Sequence, residues 1–125
     1  MSDKKKIIVI DDEPDFVTFL TLLLEDNGYA TISAKDGQEG FEKVKAEQPD
    51  LVLLDITMPE KSGVRCYRDM RSDPELKSIP VVIVTGVAKE FKNFISTRRQ
   101  VPPPDGFIAK PIDKQELLNI VGRLL

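Results

Sequence analysis

Cysteine is almost missing from this 125-residue sequence, and long apolar runs are missing altogether. A single cysteine, Cys66, excludes an intrachain disulfide framework and fits a reducing compartment. No stretch approaches the roughly 20 apolar residues that a membrane-spanning helix needs. The N-terminal lysines precede only a short apolar segment, residues 7–10, which Asp11 ends before it could serve as a signal-peptide core. These absences predict a cytoplasmic protein with no membrane association. A basic surface is also lacking. The formal net charge is −3, which argues against direct nucleic-acid binding. Lys4, Lys5 and Lys6 form the only basic run, and at a terminus it reads as a solvated tail.

What is present is an ordinary globular composition, 41% hydrophobic and 31% charged, in a length that fits one domain with a sizeable core. Neither repeat nor linker divides the chain, so residues 1–125 read as one domain with no output domain attached. Five short apolar runs, at 6–10, 30–34, 51–54, 81–84 and 106–109, alternate with longer segments of helical character. Four of the runs are nearly continuous in Ile, Val and Leu, as parallel strands covered on both faces are. The run at 30–34 alternates, which suits an edge strand.

Phe16, Phe19, Leu20, Leu23 and Leu24 have the spacing of an amphipathic helix, and Leu117, Ile120, Val121 and Leu124 give the last helix one apolar face. Asp113 and Glu116 form a capping box at its start. Phe91, Phe94 and Ile95 read as the core face of a fourth helix, and Cys66 as a helix residue without a redox role. Five repeats of strand then helix predict an α/β fold, a (βα)5 doubly wound, five-stranded parallel sheet with right-handed crossovers.

In such sheets ligands bind outside the carboxyl ends of the strands. Past the first run stand Asp11, Asp12 and Glu13; past the third, Asp55; past the fourth, Thr85 and Gly86; past the fifth, Lys110 and Pro111. Three aspartates, a hydroxyl and a lysine therefore share one rim. Carboxylates so close repel one another unless a cation holds them ionised, and Mg²⁺ is the hard, oxygen-seeking ion that suits them. The lysine can pair with phosphate oxygens. Together these groups suit phosphoryl transfer onto a carboxylate. Asp11, Asp12 and Glu13 before Pro14 also describe a helix start with a capping acid, and the two roles are compatible.

The segments VIDDEPD at 9–15, LVLLDITMPEKSG at 51–63, VVIVTG at 81–86 and FIAKPID at 107–113 resemble the receiver domains of two-component response regulators, the CheY-like family with a flavodoxin-like fold. The resemblance covers essentially the whole chain. It implies the strand order 2-1-3-4-5. It implies that Asp55 accepts the phosphoryl group, and that Asp12 is the principal Mg²⁺ carboxylate with Asp11 the second. The backbone carbonyl of Thr57 would complete the protein's metal ligands. It further implies that Thr85 and Lys110 contact the phosphoryl group, that Phe107 is the aromatic switch, and that Lys110–Pro111 is cis. The sequence departs from the family at Glu60, Lys61 and Ser62, and in a long segment before Lys110 holding Arg98, Arg99, Pro102, Pro103 and Pro104.

The implied function is a phosphorelay switch and not a conventional enzyme. A sensor histidine kinase or histidine phosphotransfer protein would phosphorylate Asp55. The face of the fourth helix, fifth strand and fifth helix would then bind an unidentified target, as a monomer or a phosphorylation-dependent dimer. On the first helix, Thr18, Thr21 and Glu25, flanked by Val17 and Leu22, form a candidate docking face. Two rival readings are a phosphorylation-independent receiver, disfavoured by the intact Asp12, Asp55, Thr85 and Lys110 set, and an enzyme of phosphatase or flavodoxin type. Asp55-Ile56-Thr57 lacks the second acid of the phosphatase class, and no G-x-G-x-x-G follows the first strand for a dinucleotide.

Overall fold

The structure is a computed structural model and describes residues 4–58, 62–86 and 103–125. Its strands are β1 (Lys6–Ile10), β2 (Ala30–Ala34), β3 (Leu51–Asp55), β4 (Val81–Thr85) and β5 (Gly106–Ala109). All neighbours pair in parallel in the order β2-β1-β3-β4-β5. The helices are α1 (Pro14–Asp26), α2 (Gly37–Glu47), α3 (Ser62–Ser72) and the C-terminal α4 (Lys114–Leu124). The helix expected between β4 and β5, with Phe91, Phe94, Ile95, Arg98 and Arg99, lies outside the described residues, as do Glu60, Lys61 and Pro102. Hence α4 is the helix anticipated as the fifth.

The near-continuous apolar strands are explained by burial on both sides. Ile7, Val9, Leu51, Leu53, Val82, Val84 and Ile108 pack toward α1 and α4, through Leu20, Leu24, Leu117 and Val121. The alternate residues Ile8, Ile10, Val52, Leu54, Val81 and Ile83 pack toward α2 and α3, through Val44, Cys66, Tyr67 and Met70. In β2 only Ala34 is fully buried, as its edge position requires. β3 and β4 each run one residue further than the apolar pattern indicates. The added residues are Asp55, paired in register with Val84, and Thr85, paired with Ala109. Both are therefore fixed by the ladder and do not belong to the loops that follow.

Helix starts show which acids cap and which stay available. Asp113 accepts from the Glu116 N–H at 3.0 Å, and Asp36, which the sequence pattern did not single out, accepts from Glu39 N–H at 2.8 Å. At α1 the capping-acid expectation is corrected. Pro14 opens the helix and Glu13 is the N-cap residue, but its side chain makes no cap bond. Asp11 Oδ1 instead accepts from the Glu13 N–H at 2.9 Å.

Two surface readings also change. Lys6 is no tail residue, since it opens β1 and its Nζ pairs with Glu47 Oε1 at 3.0 Å. Val17 packs against the α1–α4 core, whereas Leu22 is 56% exposed and is the true outlier of the α1 surface.

At the pole opposite the rim, Arg71 ties α3 to the sheet. Its Nη1 donates to the carbonyls of Lys77 (2.7 Å) and Ile79 (3.0 Å), and its Nη2 to Asp105 Oδ2 at 2.8 Å. The same Asp105 oxygen accepts from the Val81 N–H at 2.9 Å. The start of β5 is thereby pinned to the start of β4. Among the described residues, no helix is long and apolar enough to cross a membrane.

Candidate functional site

Parallel strands that start together also end together, so β1, β3, β4 and β5 deliver their last residues to one rim. Asp11 follows β1 and its N–H donates to the Ala34 carbonyl at 3.0 Å, prolonging the ladder by one bond. Lys110 follows β5 and donates its N–H to the Thr85 carbonyl at 2.8 Å. Asp11, Asp55 and Thr85 are the buried polar residues of the described chain, while Asp12 is exposed. Carboxylate oxygens of Asp11, Asp12 and Asp55 all lie within 4.8 Å of one another.

Gly63 explains how α3 comes so near. A Cβ there would stand 2.1 Å from the Asp55 carbonyl oxygen and 2.9 Å from Ile56 Cα, so only glycine admits the contact.

Lys110 crosses the rim. Its Nζ lies 3.1 Å from Asp11 Oδ2, 3.4 Å from Glu13 Oε1 and 3.6 Å from Asp55 Oδ2. It also sits 4.2 Å from the centroid of the Phe16 ring. Asp55 uses its other oxygen differently. Oδ1 accepts from both the N–H (2.8 Å) and the hydroxyl (2.6 Å) of Thr57. Burial pushes the Asp11 carboxyl up to about 6 and the Asp55 charge adds to this, against the pull of the Glu13 N–H and Lys110. For Lys110, burial works against the charge. The bonds to Asp11 and Glu13 and the charges of Asp55 and Asp11 outweigh it and raise the ammonium's pKa.

The sequence-nominated residues Asp11, Asp12, Asp55 and Lys110 thus meet. Thr57 adjoins Asp55, and its contact is made through side chain and N–H. Thr85 is buried at the end of β4. Phe107 pairs with Ile83 in register and packs, half-buried, on the α2–α3 side of the core. Lys110–Pro111 is cis. Glu13 and Phe16 were not assigned to the site from sequence. A signal existed, because Glu13 follows the acid pair directly and Phe16 lies three residues further on, about one helical turn away.

The three aspartates and Glu13 set four carboxylates against one ammonium, an excess of negative charge at the rim. An all-oxygen donor set of that charge and spacing fits a hard divalent cation, so the residues present suit Mg²⁺. Beside Asp12, a cleft of about 700 Å³ opens between α2 and α3, lined in part by Lys35, Phe41, Met58 and Arg65.

Residues 7–122 match the family described as the response regulator receiver domain. Protein PilH of Pseudomonas aeruginosa is 32% identical over 120 residues, covering 96% of this chain and 97% of PilH. The polar-differentiation response regulator DivK of Brucella anthropi is 29% identical over 121 residues, covering 97% and 96%. The sensor kinase/phosphatase CqsS of Vibrio cholerae is 37% identical over 122 residues, but these cover only 17% of CqsS.

Among solved structures, the receiver domain of a signal-transduction histidine kinase from Syntrophus aciditrophicus superposes with a TM-score of 0.85 at 29% identity, covering 97% of this chain and 89% of that one. A receiver domain of a Pseudomonas aeruginosa sensor kinase, described with a magnesium ion in its active-site cleft, gives 0.85 at 21% identity and 97% coverage of both chains.

Proposed function

This chain belongs to the response regulator receiver domain family of two-component signalling, and we propose on that premise that Asp55 is its phosphoacceptor. The observation that carries the reading is the placement of Lys110 Nζ between Asp11 and Asp55, beside a cluster of three aspartate carboxylates that lie within 4.8 Å of one another. Receivers are signalling switches, and the groups here suit one stoichiometric transfer instead of turnover.

The donor is a phosphohistidine on a kinase or phosphotransfer protein. The sequence contains no histidine, so the donor imidazole is not among these residues. Thr57 orients Asp55 through Oδ1, and Oδ2, the oxygen nearer Lys110, attacks phosphorus. The O–P bond forms as the P–N bond breaks; the imidazole nitrogen keeps the electron pair and takes a proton from solvent. Lys110 balances the charge on the phosphoryl oxygens in place of the charge it balanced on Asp55. Mg²⁺ held by Asp11, Asp12, Asp55 and the Thr57 carbonyl would supply further charge neutralisation.

Thr85, at the neighbouring strand end, would hydrogen-bond the new acyl phosphate. Phe107 would repack, biasing the face formed by β5, α4 and the segment before β5 toward its target-binding arrangement. Phe107 lacks a hydroxyl, so it would act by packing alone.

Incubation with acetyl phosphate and Mg²⁺ followed by intact-mass measurement tests this. The expected result is one phosphoryl group on the wild type and none on Asp55→Asn. Persistent stoichiometric labelling of the Asn variant would overturn the assignment.

A further inference from the structure

We propose that Phe16 is a positioning residue for Lys110: the face of its ring is the seat that keeps the ammonium beside Asp55. This rests on the reading of Asp55 as phosphoacceptor. A lysine carries a point charge on a flexible four-carbon stem, so something must decide where the charge sits. Three carboxylates face it, at 3.1 Å (Asp11), 3.4 Å (Glu13) and 3.6 Å (Asp55). The phosphoacceptor is the furthest of the three. Glu13 is a loose anchor, with its side chain 67% exposed.

The ring is the contrasting element. Phe16 packs against the α1–α4 side of the core with its centroid 6.3 Å from that of Phe19, so its position is set by packing. A cation 4.2 Å from the centroid lies well inside the range at which the ring quadrupole attracts it. Lys110 is itself largely shielded, at 17% side-chain exposure, which strengthens such an attraction. The ring has a further property that Asp55 does not share. When Asp55 becomes an acyl phosphate, the charge pattern around Lys110 is redrawn, while the ring's attraction is unchanged. The lysine therefore keeps one fixed reference through the reaction.

Five variants and one spectrum test the assignment. In the wild type, the Lys110 Cε protons should show an upfield ring-current shift by NMR. Phe16→Leu should abolish that shift and slow phosphorylation by acetyl phosphate on the order of three- to tenfold, the size expected for one partly buried cation–π contact. Phe16→Tyr retains the ring and should keep both the shift and, within about twofold, the rate. Phe19→Leu is the packing control: that ring neighbours Phe16 but lies under Lys114 at 5.9 Å, and its loss should leave the rate unchanged.

Should Phe16→Leu fold poorly, Phe16→Met offers a second ringless side chain, and the wild-type spectrum remains decisive. A wild-type Lys110 without the upfield shift overturns the proposal, as does a Leu or Met variant reacting at the wild-type rate. Equal slowing in Phe16→Leu and Phe19→Leu overturns it too, because that pattern means lost packing. Asp55→Asn separates the two levels: labelling of that variant sinks the phosphoacceptor reading, whereas an unlabelled Asn variant beside an unimpaired Phe16→Leu sinks only the role of the ring.

Discussion

Thr57 donates twice to a single oxygen of Asp55, through its N–H at 2.8 Å and its hydroxyl at 2.6 Å. The two oxygens of the carboxylate are therefore unequal before any donor arrives. Oδ1 is held from the loop that follows β3, and Oδ2 is turned to Lys110 at 3.6 Å. Such asymmetry fixes the rotation of a carboxylate that would otherwise flip freely.

Thr57→Val keeps the N–H and the side-chain shape but removes the hydroxyl. We expect slower phosphorylation by a small-molecule donor, by about 1 kcal/mol or roughly fivefold, the usual size of one such hydrogen bond. Because Thr57 is exposed, the urea midpoint should barely move. A Val variant with an unchanged rate would show that the hydroxyl does not orient Asp55.

Gly63→Ala probes the close approach of α3. Its Cβ would meet the Asp55 carbonyl oxygen at 2.1 Å, so α3 or the end of β3 must move. A loss of about 2 kcal/mol in urea unfolding is expected, as for other overpacked sites. Phosphorylation should slow as well, since the displaced strand end carries Asp55.

Arg71 is nearly buried, with 6% of its side chain exposed, and its guanidinium serves two carbonyls and Asp105. Arg71→Ala leaves those acceptors without their donor and should cost about 3 kcal/mol. Arg71→Lys keeps the charge but loses the planar fork, and should recover less than half of that, on the order of 1 kcal/mol. Chemical denaturation of the three proteins orders them; equal stability of Lys and Arg would contradict the account.

Asp73 supplies a pH signature. The Lys45 ammonium at 2.7 Å, together with the Glu75 N–H, holds its carboxyl below the ordinary value of 3.8. A depressed folded-state pKa gives stability that is present above the unfolded value and lost as pH falls through the folded one. The contribution should therefore be complete well above about pH 4 and be lost progressively as pH falls from there through the folded-state value. Asp73→Asn should lower the neutral-pH urea midpoint and flatten the acid limb of the stability curve. An acid limb as steep as that of the wild type would refute this.

Much of this architecture was legible in residue order. The apolar runs located all five strands, most clearly β1, β3 and β4, which are buried on both faces. Their ends were less legible, because Asp55 and Thr85 are polar residues inside a ladder and hydropathy stops before them. The four groups Asp11, Asp12, Asp55 and Lys110 were found because each stands at a strand end, where topology brings them together. Val17 was misread because α1 packs over a wider arc than its strictest stripe. Phe16 was assigned to the core alone, since periodicity says which face a ring lies on but not that its edge of the core adjoins a charge. Thr57 was nominated for its carbonyl; that its side chain also grips Asp55 depends on a local turn.

Lys110 and Asp11 stand 99 residues apart in the chain, yet their side chains meet at 3.1 Å. During synthesis the acid cluster of Asp11, Asp12 and Asp55 emerges first and must wait, mutually repelling, for its counter-charge. Contacts that close so long a loop form late. A nascent chain interrupted before β5 would carry the three acids without the lysine that offsets part of their charge. The rim thus reaches its balance of charge only when the fold is nearly complete.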